Sequence, residues 1–219
     1  YGGDPDHADI PVDRLISAGY GAERAALIGE AASLDQRPGR LVPGWADAAI
    51  ARADAGGARA GGTGGGEPTM AHLTERRGDT VHVDVVDRWG NAVSATPSGG
   101  WLQSSPVVPG LGMPLNTRAQ MFWLDEGLPS SLAPGRRPRT TLSPSMARAP
   151  DGTRLAYGTP GGDQQDQWQT ILLLRLAHGE ADLQAAIDGP LFHSGHVQAS
   201  FWPRGLQPGH LMIEPGFGE

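Results

Sequence analysis

Glycine or proline stands at about one position in four, with 33 glycines and 19 prolines among 219 residues. Glycine breaks regular elements through excess backbone freedom, proline through its fixed φ and missing N–H. A chain punctuated this often is expected to build short elements joined by many turns. Residues 56–66 are the extreme case. Seven glycines in eleven positions cannot hold a regular element and read as a flexible loop.

The texture of the chain changes at Gly78-Asp79. Before it, Leu15, Ile16, Tyr20, Ala26, Leu27 and Ile28 recur at roughly helical spacing. Asp13 is a plausible N-cap for that helix, and a second, Ala-rich helix is expected over 45–53. After the break, Thr80-Val81-His82-Val83-Asp84-Val85-Val86 is β-rich and opens with strict alternation, which places Thr80, His82 and Asp84 on one face. Asp87-Arg88-Trp89-Gly90-Asn91 is turn chemistry and residues 92–96 return as a second strand, so a hairpin is predicted. A Pro/Gly-rich stretch over 97–138 follows, then a strand over 154–158 and the tight turn Thr159-Pro160-Gly161-Gly162. Asp163 should cap a helix running to about His178, and a shorter helix is expected over 181–187. Strands followed by helices predict an α+β arrangement with an antiparallel sheet.

Composition narrows the chemistry. The chain has no Cys, and all 17 basic residues are Arg. Thiol catalysis, disulfides and zinc–thiolate sites are excluded, as are a Walker A loop, a Schiff-base lysine and a Ser–Lys dyad. Ser and Thr lead as covalent nucleophiles, with carboxylates behind them. The net charge of −7 repels phosphate, so neither nucleic acid nor an anionic membrane is an expected partner. The longest purely apolar run, 171–174, is far short of the roughly 20 residues that span a bilayer. The chain starts at Tyr1 rather than Met and is expected to be a fragment lacking both ends, so no compartment follows from it.

Four segments could carry chemistry. Thr80 opens a strand directly after a Gly-Asp pair. Its hydroxyl needs a base, which could be a His, a carboxylate, water or its own α-amine if the chain is cut before it. Such an amine has an ordinary pKa of about 7.7–8, near working pH. The pattern alone favours an ordinary β-branched strand residue. Tyr157-Gly158-Thr159-Pro160-Gly161-Gly162-Asp163 is a strand–turn–helix junction where backbone N–H groups could stabilise an oxyanion, or simply a sharp connection. Arg136-Arg137-Pro138-Arg139-Thr140-Thr141-Leu142-Ser143-Pro144 could clamp a carboxylate or be a solvated loop. His193 and His196 lack the His-Glu-x-x-His arrangement, so no metal site is assigned. Gly-x-Ser-x-Gly does not occur.

Taken in order, these phrases resemble the gamma-glutamyltransferase (glutathione hydrolase) family of N-terminal-nucleophile hydrolases. The resemblance is carried by the run from Gly78-Asp79-Thr80 to Ala92-Val93-Ser94, by Arg137-Pro138-Arg139-Thr140-Thr141-Leu142-Ser143-Pro144, and by Gly158-Thr159-Pro160-Gly161-Gly162. Asp188-Gly189-Pro190-Leu191-Phe192-His193 adds to it, and Gly66-Glu67-Pro68-Thr69 extends it weakly backwards.

The resemblance implies an αββα four-layer sandwich, incomplete in this chain. Residues 1–79 would be the C-terminal part of a large subunit and 80–219 the N-terminal part of the small, catalytic one. It implies self-cleavage between Asp79 and Thr80, with Thr80 as nucleophile and Gly161 and Gly162 as the oxyanion hole. Ser98 would support the nucleophile, and Thr140 and Thr141 would bind the substrate carboxylate. No cofactor or metal is implied. The partners would be a small gamma-glutamyl or related acyl-amide substrate and the two subunits of one precursor. Two departures stand out. Gly100 replaces an Asn donor, and Gln120-Met121 replace the paired Asp that recognise the glutamyl α-amine. An enclosed amine without a counter-charge is costly, so Arg118 would favour a different acyl group, as in a glutaryl or other acyl amidase. A non-catalytic, unprocessed binding module is the remaining alternative.

Overall fold

The computed structural model describes residues 2–56, 80–99, 105–179, 182–201 and 204–217. The glycine-rich segment 57–79, including Asp79, lies outside the described residues, as do Gly100 and Ala181. The chain divides into two compact units. The first joins Tyr1–Gly61, Arg118–Thr140 and Gly195–His210; the second joins Gly62–Thr117, Thr141–Ser194 and Leu211–Glu219.

In the first unit the single helix expected over 13–28 is two. Helix α1 spans Val12–Leu15 with Pro11, not Asp13, at its N-cap. Helix α2 spans Ala18–Ala25 and starts afresh because the Ser17 hydroxyl accepts the Tyr20 N–H at 3.2 Å. Helix α3 covers Trp45–Gly56, as its Ala-rich composition predicts. The apolar core of this unit is small: Ala46, Ala53, Met121, Phe201 and Leu206 are buried. Buried cations pack beside it. Arg204 adopts a left-handed φ of 58° and donates to the carbonyls of Ser200, Gln120 and Phe122 at 2.7, 2.9 and 2.9 Å. The guanidinium groups of Arg52 and Arg204 lie 4.8 and 4.1 Å from the Trp123 ring centroid.

The second unit holds four antiparallel strand pairs. Strands β1 (Val83–Val86) and β2 (Ala92–Ala95) form the predicted hairpin, with Asp84 opposite Ser94 and Val83 opposite Ala95. Strands β3 (Val107–Val108) and β4 (Met113–Pro114) make a short pair. Strands β5 (Ser145–Arg148) and β6 (Arg154–Tyr157) form a second hairpin, and the Ser94 hydroxyl donates to the Tyr157 carbonyl between β2 and β6. Helix α4 (Gln165–His178) and helix α5 (Leu183–Asp188) pack together, followed by β7 (Phe192–Ser194) and β8 (Leu211–Ile213).

Two expected boundaries move. Asp163 does not cap α4: a 3-10 turn, Gly162–Gln164, intervenes, and the N-cap Gln164 makes no side-chain capping bond. The helix start is thereby delayed by one residue, behind two glycines of positive φ, Gly161 and Gly162. The shorter helix starts at Leu183 because Asp182 caps it, accepting the Ala185 N–H at 2.7 Å. Among the described residues the sheets are separate two-stranded pairs within a mixed α/β fold.

Candidate active site

Strand alternation builds the site. Beyond the ladder of β1 and β2 the pairing continues, with the Val81 N–H donating to the Pro97 carbonyl at 3.3 Å. In this register Thr80, His82 and Asp84 face Ser98, Thr96 and Ser94. The Thr80 and Ser98 hydroxyl oxygens are 2.9 Å apart. His82 Nδ1 lies 2.8 Å from Thr96 Oγ1, and Nε2 lies 2.9 Å from Asp84 Oδ2. A carboxylate only accepts, so the His82 Nε2–H donates to Asp84, while Nδ1 is hydrogen-bonded to the Thr96 hydroxyl. Both ring nitrogens are thereby occupied. His82, although on the Thr80 face, has no lone pair left to take the Thr80 proton.

The glycine loop follows β6 in the same unit. Gly161 (φ 140°) and Gly162 (φ 59°) adopt backbone conformations that residues with a Cβ rarely take. Among the described residues, neither of their N–H groups meets an acceptor. They stand just before α4, where the helix dipole favours negative charge. Buried Gln165, the first residue of α4, accepts the Ser143 N–H at 3.1 Å through Oε1. That contact ties the segment carrying Thr141 to the helix start, and the Thr141 hydroxyl is buried without a partner among the described residues.

The sequence-predicted residues therefore separate into two groups. Thr80, Ser98, Thr141, Gly161 and Gly162 fall in the second unit. Arg118 and Thr140 fall in the first. Arg118 is buried, with Nη1 4.0 Å from Met121 Sδ and its guanidinium 5.5 Å from the Phe201 ring centroid. The two histidines of His-Ser-Gly-His also part: His193 meets the Trp168 ring edge-on at 5.4 Å, while His196 Nδ1 accepts the Gly209 N–H at 3.1 Å. No group of three His, Asp or Glu able to hold a metal occurs among the described residues. Sequence reading missed Thr96, Gln165 and Trp168 as site residues. Thr96 was accessible from the register of the predicted hairpin, whereas Gln165 and Trp168 carry no local signal.

The profile of the gamma-glutamyltranspeptidase family matches residues 1–219. The chain belongs to that family. The glutathione hydrolase proenzyme of Pseudomonas sp. (strain A14) is 28% identical over 205 residues, 88% of this chain and 30% of that protein. The oxamate amidohydrolase proenzyme of Klebsiella pneumoniae is 39% identical over 121 residues, 55% of this chain and 23% of that protein. The solved structure LmbA2991HD shares 48% identity at a TM-score of 0.70, covering 97% of this chain and 35% of that one. The gamma-glutamyltranspeptidase family chain described here thus spans about a third or less of these relatives. Its family is an enzyme family whose curated relatives include proenzymes named for different amide substrates.

Proposed function

We propose that this chain carries the nucleophile-bearing part of an autoprocessing acyl-transfer enzyme with an αββα sandwich in its complete form. Residues 80–219 belong to its small subunit and residues 1–79 to the end of its large one. The observation that carries the reading is the Thr80 hydroxyl held 2.9 Å from Ser98, on the same unit as a glycine turn with two open N–H groups. In processing, the Thr80 Oγ attacks the Asp79 carbonyl carbon and the peptide bond to Thr80 nitrogen breaks. That cleavage frees the Thr80 α-amine, which takes up the hydroxyl proton, and water then hydrolyses the resulting ester to the Asp79 carboxylate and the restored Thr80 hydroxyl. In turnover the hydroxyl proton passes to that amine, directly or through water, as Oγ attacks the substrate amide carbon. The oxyanion takes hydrogen bonds from the Gly161 and Gly162 N–H groups, and the leaving amine recovers the proton. Water or an acceptor amine then releases the acyl group from Thr80.

Acyl preference follows from charge. Gln120 and Met121 stand where the wider family carries paired carboxylates, so a substrate α-amine would lose its counter-charge. That loss disfavours a substrate α-amine and favours an acyl group without one. The presence of an oxamate amidohydrolase among the relatives is consistent with this preference.

Intact-mass spectrometry of the full-length proenzyme tests the reading. Two subunits with Thr80 at a new N-terminus are expected, and a single chain for Thr80→Ala. An uncut wild-type chain overturns autoprocessing and leaves the binding-module reading. Glutaryl-p-nitroanilide is expected to be turned over at least as well as gamma-glutamyl-p-nitroanilide. A clear preference for the gamma-glutamyl compound overturns the acyl assignment alone.

A further inference from the structure

The glycine loop is gripped at two points by rings. A Cβ on Gly158 would lie 2.3 Å from His82 Cε1 and 2.4 Å from Nδ1. Gly158 itself has no left-handed φ, so the His82 ring alone demands glycine there. A Cβ on Gly161 would lie 2.3 Å from Trp168 Cζ3. Each ring is braced in turn. His82 is bound on both nitrogens, to Thr96 and Asp84, and Trp168 rests edge-on against His193. The segment between the grips contains Pro160, whose φ is fixed. One ring comes from the extension of β1 that bears Thr80, the other from α4.

We infer that His82 and Trp168 are positioning residues that clamp the Gly158–Gly162 turn between the nucleophile strand and α4, fixing where the Gly161 and Gly162 N–H groups point. The inference rests on the reading of those N–H groups as oxyanion donors. The reason for a clamp is general: donors aimed before reaction cost no reorganisation during it, whereas a displacement of about 1 Å can cost on the order of 100-fold in rate. A turn with two positive-φ glycines is otherwise among the most mobile kinds of backbone. Two braced rings remove that freedom by contacts at Gly158 and Gly161, while the Gly161 and Gly162 N–H groups meet no acceptor among the described residues.

The test uses the full-length proenzyme in five forms: wild type, His82→Ala, His82→Phe, Gly158→Ala, and Gly158→Ala with His82→Ala. His82→Ala is expected to lower kcat toward the p-nitroanilide substrate by roughly 10- to 100-fold with little change in KM. It should also speed amide exchange of residues 157–165. His82→Phe, which keeps the ring but loses both hydrogen bonds, should recover part of the exchange protection and of kcat. Gly158→Ala alone should be impaired, and removing the ring beside it should relieve the clash, so that the double variant outperforms Gly158→Ala. A double variant no better than Gly158→Ala, or unchanged exchange in His82→Ala, overturns the clamp. Thr80→Ala run in parallel separates the two ideas. If that variant is still processed and active, the nucleophile assignment fails, while amide exchange still decides the clamp.

Discussion

At the scale of single residues, the Ser98 hydroxyl lies 2.9 Å from that of Thr80, and in the proposed mechanism it orients the nucleophile. A hydrogen bond between neutral hydroxyls contributes about 1 kcal/mol, so Ser98→Ala is expected to slow proenzyme cleavage by roughly fivefold without abolishing it. A time course of intact mass reads this directly, and complete loss of cleavage would mean that Ser98 does more than orient. Thr80→Ser should retain cleavage where Thr80→Ala does not, because the hydroxyl and not the methyl performs the attack. Alternation made the shared face of Thr80, His82 and Asp84 legible in the sequence, whereas Ser98 was implied by the family resemblance alone. The role of His82 was not legible. Alternation places it beside Thr80, but only its contacts with Thr96, Asp84 and the bare Cα of Gly158 distinguish a brace from a base.

At the scale of elements, two hairpins share one turn design. The Asp87 N–H donates to the Asn91 carbonyl and the Gly90 N–H to the Asp87 carbonyl; Ala149, Gly152 and Thr153 repeat both bonds. Gly90 and Gly152 each supply the left-handed φ that this three-residue loop requires. The first turn was anticipated. Pro150-Asp151-Gly152 carries the same signal, yet Ser145–Arg148 reads poorly as a strand because Ser, Met, Ala and Arg lack β-branching. Helix α5 is short and depends on a neighbour. Arg175 of α4 donates to the carbonyls of Ala186, Gly189 and Pro190, and Gly189 leaves room for its guanidinium. Arg175→Met keeps most of the stem and strands three carbonyls at the α5 terminus. It is expected to cost about 2 kcal/mol, seen as a lower urea midpoint with an unchanged slope. A midpoint within error of wild type would show that water replaces the guanidinium.

At the scale of the whole chain, a long-range tie in the first unit joins Asp4 to Arg137. Asp4 is buried and accepts the Arg137 backbone N–H at 2.8 Å, Nε at 3.2 Å and Nη2 at 2.6 Å. The Arg137 side chain, and next its backbone N–H, hold the Asp4 carboxyl well below the usual carboxylate range. A carboxyl with a depressed folded-state pKa stabilises the native state above its unfolded pKa of about 3.9, and that contribution fades as the pH falls towards the folded value. Arg137→Ala, which keeps the backbone bond, should therefore lower stability by a constant amount from neutral pH to about pH 5. The difference from wild type should narrow below about pH 4, and a denaturation series in pH checks both limbs. A gap that widens on acidification would contradict the assignment. Val83, Val85 and Val93 share the face of the first hairpin opposite Asp84, and all three remain exposed.

The sequence by itself determined the chemistry available and the order of the motifs. Without Cys or Lys, Ser and Thr lead as nucleophiles with carboxylates behind them, and alternation and turn residues placed Thr80, His82 and Asp84 on one face of a hairpin. Those facts are local, set by side-chain identity and backbone periods of a few residues. Tertiary structure decided which glycines must stay bare, where α4 begins, and that Gln165 anchors the Thr141 segment. It also put Arg118 and Thr140 in one unit and Thr80 in the other. Each of these depends on a side chain from a distant segment filling a particular space, and steric exclusion between distant segments leaves no period in the sequence to read.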